Sequence, residues 1–210
     1  MTTRAHRRGF TYVEVLIALA MTGVLAAIGV PNLLRAQKHA KHAEAVTNLK
    51  SLHVGLMTQS TKPTSIHVPG FHPHRDNRYS YHLGTCTSYE DRSGKHAVRH
   101  PNDDCIGADT YANPTLPNLF TPVMLPGVSW DYHAAVNGLA ASPGVFGSET
   151  NWDYLAYAAG DLDDDPSDSA DTWGVSSSDG QMFPMCATSM GISSIVAGEP
   201  FLVNEDPICN

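Results

Sequence analysis

Four sets of side chains in this sequence have the chemistry to bind or react: a run of aspartates, eleven histidines, four cysteines and one carboxylate inside an apolar stretch. Asp161, Asp163, Asp164, Asp165, Asp168 and Asp171 put hard oxygens at alternating positions 161, 163 and 165, the way a calcium loop begins. Pro166 stands where such a loop needs a turn glycine, and Thr172 where it needs a bidentate acid. The EF-hand pattern therefore fails. A solvated acidic turn is expected, with Asp161, Asp163 and Asp165 as a weak calcium candidate. His67, His72, His74, His82, His96 and His100 fall in loop-rich sequence without a helical His pair backed by a carboxylate, so no metal site or cofactor is expected there. His39 and His42, three apart on a helical pattern, are expected to face solvent or a neighbouring subunit. No Gly-rich phosphate loop, nucleophile elbow or zincin motif occurs, and the chain reads as non-enzymatic.

Cys86, Cys105, Cys186 and Cys209 are separated by 19, 81 and 23 residues, with no C-x-x-C pair of the metal or redox kind. Their even number favours two disulfides if the region is exported and buried free thiols if it is cytosolic. Three pairings exist. The local one, 86 with 105 and 186 with 209, closes the two smallest loops and would contribute roughly 3 kcal/mol per loop in a chain-entropy account.

The N-terminus decides the compartment. Residues 10–34 carry one charged side chain, Glu14, and residues 15–30 carry none. About 20 apolar residues in a helix cross a bilayer core, so this stretch can span a membrane. Arg4, Arg7 and Arg8 precede it and hold the N-terminus in the cytoplasm by the positive-inside preference, which sends the remainder outward. A cleaved secretory signal fits poorly, because Ala26-Ala27-Ile28-Gly29 runs on into more helix instead of a cleavage site. Leu33, Leu34, Ala36 or Gln37, Ala40, Ala43, Val46, Leu49, Leu52 or His53, and Leu56 recur at helical spacing. One helix of about 45 to 48 residues is predicted, apolar all round in its first half and amphipathic in its second. Gly23, Gly29 and Pro31 weaken it locally, which makes residues 23–31 the place for a kink or local melting. A carboxylate at Glu14 costs a few kcal/mol in hydrocarbon and needs a partner. Cutting the chain before Phe10 would create one, the α-amino group of a neighbouring copy.

Arg7-Arg8-Gly9-Phe10-Thr11-Tyr12-Val13-Glu14-Val15 resembles the class III signal of type IV prepilins: a short basic leader ending in Gly, then Phe, then an apolar stretch with Glu as its fifth residue. Tyr12 departs from the usual Leu. The resemblance implies cleavage between Gly9 and Phe10 by a prepilin peptidase and N-methylation of Phe10 by the same enzyme. It also implies pairing of Glu14 with the Phe10 amino group of an adjacent subunit, and an unwound segment near Pro31 in the filament. NRYSYHLG before Cys86, and YAAGDLDDD followed by DTWGVSSSDG, are similar to segments of the pilins of myxobacteria and related delta-proteobacteria. The stretch between Cys186 and Cys209 would correspond to that family's disulfide-bounded C-terminal region.

The formal charge of −8 divides unevenly. Seven Lys/Arg face two acids in residues 1–50, a balance of +5, leaving six against nineteen, or −13, in residues 51–210. An acidic head without a basic patch repels phosphate backbones, so direct nucleic-acid binding is not expected. Strands are predicted at 78–83, 128–136, 152–159 and 172–176, with Asp179-Gly180 turning into 182–188, and loop at 85–126. The element order predicts an α+β class, and the resemblance implies a type IV pilin fold in which a long N-terminal helix packs on a small antiparallel sheet with disulfide-bounded loops. Residues 1–9 are assigned to a cleaved leader, 10–34 to the transmembrane and filament-core half of the helix, 35–58 to its amphipathic half and 59–210 to the head. The expected function is a structural subunit of a type IV pilus serving adhesion and twitching-type motility. Its partners would be copies of itself, the peptidase, the inner-membrane pilus assembly machinery and, before assembly, the membrane. A minor pilin, a type II secretion pseudopilin, or an uncleaved membrane-anchored periplasmic binding module are the alternatives.

Overall fold

The computed structural model describes residues 10–162, 169–183 and 193–205. The chain divides into two compact units, Met1–Ala40 and Lys41–Asn210. One helix, α1 (Tyr12–Met57, 46 residues), contributes to both. It is followed by β1 (Ser80–His82), β2 (Tyr89–Glu90), β3 (Cys105–Ile106), β4 (Val128–Trp130), α2 (Tyr132–Asn137), β5 (Gly144–Gly147), β6 (Trp152–Gly160), β7 (Asp171–Ser176), β8 (Gly180–Met182), β9 (Ser193–Ile195) and β10 (Phe201–Asn204).

Among the described residues the second unit holds a large sheet in the order β10-β7-β6-β1-β3-β2, with β5 also on β6, and a three-stranded sheet β4-β8-β9. All pairs are antiparallel except β2 with β3. β6 is the centre. Its even residues Tyr154, Ala156 and Ala158 join the core that also contains Ala45, Leu49, Leu52 and Leu56 of α1 with Phe71, Tyr79, Tyr81 and Val175. Its odd residues Leu155 and Tyr157 join a second core with Leu125, Ala134, Leu139, Met182, Ile195 and Val203. A strand alternates its side chains with a period of two, so a strand covered on both faces reads as continuously apolar, as residues 154–159 (YLAYAA) do.

The buried stripe of α1 is Ala45, Leu49, Leu52, Gly55 and Leu56, whereas Ala43 is exposed and Val46 only half-buried. Polar contacts seal the same seam. Glu44 Oε1 accepts the Arg78 N–H at 3.1 Å, and Asn48 Nδ2 donates to the Tyr81 hydroxyl at 2.6 Å. Burial pushes the Glu44 carboxyl up, against hydrogen bonds from the Arg78 amide and the Tyr81 hydroxyl. His42 does not simply face solvent: its Nε2 lies 3.5 Å from Asp171, and its ring meets Trp173 edge-on at 5.4 Å.

Two strand expectations change. Residues 128–136 are strand only to Trp130, because Asp131 caps a helix by accepting from the Ala134 N–H and Gly138 closes it at φ 81°. Asp179-Gly180 does not pair β7 with β8, since β7 lies between β6 and β10 while β8 lies between β4 and β9. The stretch 85–126 is loop-rich and contributes the two-residue strands β2 and β3.

Candidate assembly surface

α1 starts on a reciprocal cap. Thr11 Oγ1 accepts the Glu14 N–H at 3.3 Å, while Glu14 Oε2 accepts from the Thr11 N–H at 2.7 Å and the Thr11 hydroxyl at 2.8 Å. This Thr-x-x-Glu capping box satisfies amides that a helix start otherwise leaves bare, and it sets a carboxylate at the positive end of the helix dipole. Thr11 is the residue that the reading of Glu14 as a lone charge missed, although the Thr11-Tyr12-Val13-Glu14 spacing was legible.

Every described residue of 10–37 is exposed, including Phe10 at 87% and Leu25 at 72%. α1 is long and apolar enough to cross a membrane, and none of its most apolar 18-residue window is buried. A helix apolar on all sides is stable only with apolar surroundings, either lipid or other helices. Gly23, Gly29 and Pro31 lie within this stretch, and α1 runs through them as helix. A Cβ placed on Gly23 or Gly29 would meet nothing within 4 Å.

In the second unit Cys86 and Cys105 form a disulfide with Cα atoms 5.2 Å apart. Gly9, Cys186, Cys209, Asp163 and Asp165 lie outside the described residues; Asp161 is buried at 2% exposure. The loop closed by the disulfide is fastened by charge. Buried Arg92 donates to Asn77 Oδ1 at 2.7 Å, to the carbonyls of Pro73 and His74 at 3.1 Å, and to Glu90 at 2.7 Å. Arg75 clamps Asp109 with two bonds of 2.5 and 2.8 Å. Burial alone would raise the Asp109 carboxyl, but hydrogen bonds from Arg75 and the Asp76 and Ala112 amides, together with the Arg75 charge, hold it below the usual range. Asp103 is likewise lowered: burial opposes it, and the His100 amide, Ser88 hydroxyl and His67 ring outweigh burial. Asp153 follows the same pattern, with Ser177, Ser178 and Asn137 as donors. His67 and His100 thus converge on Asp103, at 3.2 and 3.5 Å. His82 lies against the disulfide.

A helix whose first part is bare of cover on every side, followed by an α+β head with a buried sheet, suits a protein anchored in a membrane by that helix. The sequence matches the type IV pilin PilA family over residues 36–169. It is 28% identical over 222 aligned positions to the type IV major pilin protein PilA of Myxococcus xanthus (strain DK1622), covering 98% of this chain and 94% of that protein. The chain belongs to the type IV pilin family, and it is a structural subunit of a type IV pilus. That family is structural rather than enzymatic, and its members assemble into a filament of themselves.

Proposed function

We propose that this pilin is made with residues 1–9 as a leader, inserted in the inner membrane with its head in the periplasm, and cut between Gly9 and Phe10 by a prepilin peptidase that also methylates the new amino group. The inner-membrane assembly machinery then moves it into an extracellular filament serving adhesion and twitching-type motility, as the chain's likeness to a major pilin suggests. No catalytic chemistry is assigned to it. The observation that carries this reading is the uncovered apolar surface of residues 10–37, which exchanges lipid for neighbouring stems at little cost because both are apolar. Glu14 and Phe10 are the assembly residues. Within the subunit Glu14 caps its own helix through Thr11, and on assembly its carboxylate would neutralise the Phe10 amine of the adjacent copy. Gly23, Gly29 and Pro31 would let the stem unwind as neighbours pack. Cys186 with Cys209 is the proposed second disulfide.

Intact mass and N-terminal sequencing of sheared, unreduced filaments test this directly. The expected result is that this protein dominates the filaments, starts at N-methylated Phe10 and is four hydrogens light. A chain absent from filaments and held in the membrane with its first nine residues attached would replace this reading with an anchored binding module.

A further inference from the structure

The Cys86–Cys105 disulfide has an imidazole aimed at it. His82 in β1 is 4% exposed, and its Nδ1 lies 2.9 Å from Cys86 Sγ and 3.7 Å from Cys105 Sγ. Its other nitrogen, Nε2, is 2.8 Å from Ser80 Oγ. The Ser80 hydroxyl gives its one hydrogen to the Ala159 carbonyl at 3.2 Å and accepts from the Phe120 N–H at 3.1 Å. With the Ser80 hydrogen on the Ala159 carbonyl, Ser80 Oγ accepts from Nε2, which leaves Nδ1 with a lone pair toward the sulfurs. Neutral imidazole with its far N–H tied to an outer partner is the ligand form of histidine.

The three donor atoms all lie within 4.8 Å of one another. Around a tetrahedral zinc, with Zn–S about 2.3 Å and Zn–N about 2.0 Å, adjacent donors stand roughly 3.5–3.8 Å apart. One N–S separation here is already 3.7 Å and the other is 2.9 Å, so the sulfur–sulfur bond is what closes the site. Beside it opens a cavity of about 430 Å³ lined in part by His82, Cys86, Thr85, Phe120, Pro122 and Met124. Cys86 is half-buried and borders the cavity, while Cys105 is fully buried, so a reductant reaches Cys86 first.

We propose that His82, Cys86 and Cys105 form a three-ligand site for zinc in the reduced chain, with metal and disulfide as alternative occupants of the same two sulfurs. A dithiol reductant supplies two electrons and two protons to the Cys86–Cys105 bond, becomes a disulfide itself and leaves two thiols. The cation displaces both thiol protons and takes the His82 lone pair without displacing a third. Its fourth position faces the cavity, open to water or to Met124.

The test is titration of the reduced full chain in detergent with cobalt(II), reading the tetrahedral and thiolate charge-transfer bands, then displacement with zinc. One cobalt per reduced chain and none on the oxidised chain are expected. His82→Gln should weaken binding at least tenfold, Cys86→Ser should reduce the charge-transfer band, and the Cys186→Ser/Cys209→Ser pair should leave both intact. Undiminished binding by His82→Gln, or loss on replacing Cys186 and Cys209 alone, would overturn the proposal. So would a reduced chain that has lost its fold and that zinc does not restore.

Discussion

The two halves of α1 differ in composition, nearly uncharged in the first and amphipathic in the second, and they end in opposite surroundings. Residues 12–37 are exposed on every side, whereas from Ala45 onward one stripe disappears beneath Tyr79, Tyr81 and Tyr154. Glycine marks the contrast. At Gly23 and Gly29 a Cβ would stand in open space, but at Gly55 it would come within 2.5 Å of the Pro69 carbonyl and of Val68 Cγ2. The first two lie where the helix surface is uncovered, and the third lets the segment at 68–69 approach its own stem. One half is therefore finished by folding, the other by assembly.

The contrast is easiest to break at leucine. Leu52→Ala should lower the unfolding free energy of the head by about 2–5 kcal/mol in urea titration, while Leu25→Ala should leave it within about 0.5 kcal/mol and act on filament yield instead. Equal losses at the two positions would erase the distinction. Next comes glycine, with opposite signs on one helix. Gly55→Ala should cost about 1–3 kcal/mol by overpacking, and Gly23→Ala or Gly29→Ala should strengthen the helix by up to about 1 kcal/mol, read by circular dichroism during thermal melting.

Acid should also separate the halves. The Asp103, Asp109 and Asp153 carboxyls are lowered in the folded head, so they contribute stability above their unfolded range near pH 4, and that contribution is lost as pH falls through their lower folded values. Glu44 acts in the opposite sense, because its raised carboxyl is a cost at neutral pH that protonation relieves. The head should unfold below about pH 4 while the helix signal from residues 12–37 persists, and simultaneous loss of both would contradict separate stabilities. The smallest effect belongs to Lys50, whose 2.9 Å pair with Glu199 is exposed on both sides. Lys50→Ala should change head stability by no more than about 1 kcal/mol in the same titration.

Most of the stem was legible in the sequence. An uncharged run of membrane length followed by apolar residues at helical spacing led to one long helix, and Thr11-x-x-Glu14 spelled its first turn. The α2 signals, Asp131 before it and Gly138 after it, were equally present and were overridden by a β-rich reading of residues 128–136. β6 could be read as a buried strand because its apolar run is continuous.

What the sequence determined alone is what local rules govern: helix length, the cap and the strand at β6. The tertiary structure decided which row of α1 is buried, Ala45 with Leu49 rather than Ala43 with Val46, since adjacent rows of an amphipathic helix look alike until a sheet covers one of them. It also decided that β7 and β8 belong to different sheets, and that His82, four residues from Cys86, brings its Nδ1 against both sulfurs. Contacts between distant segments are selected by packing the whole chain at once, and no local periodicity encodes that selection.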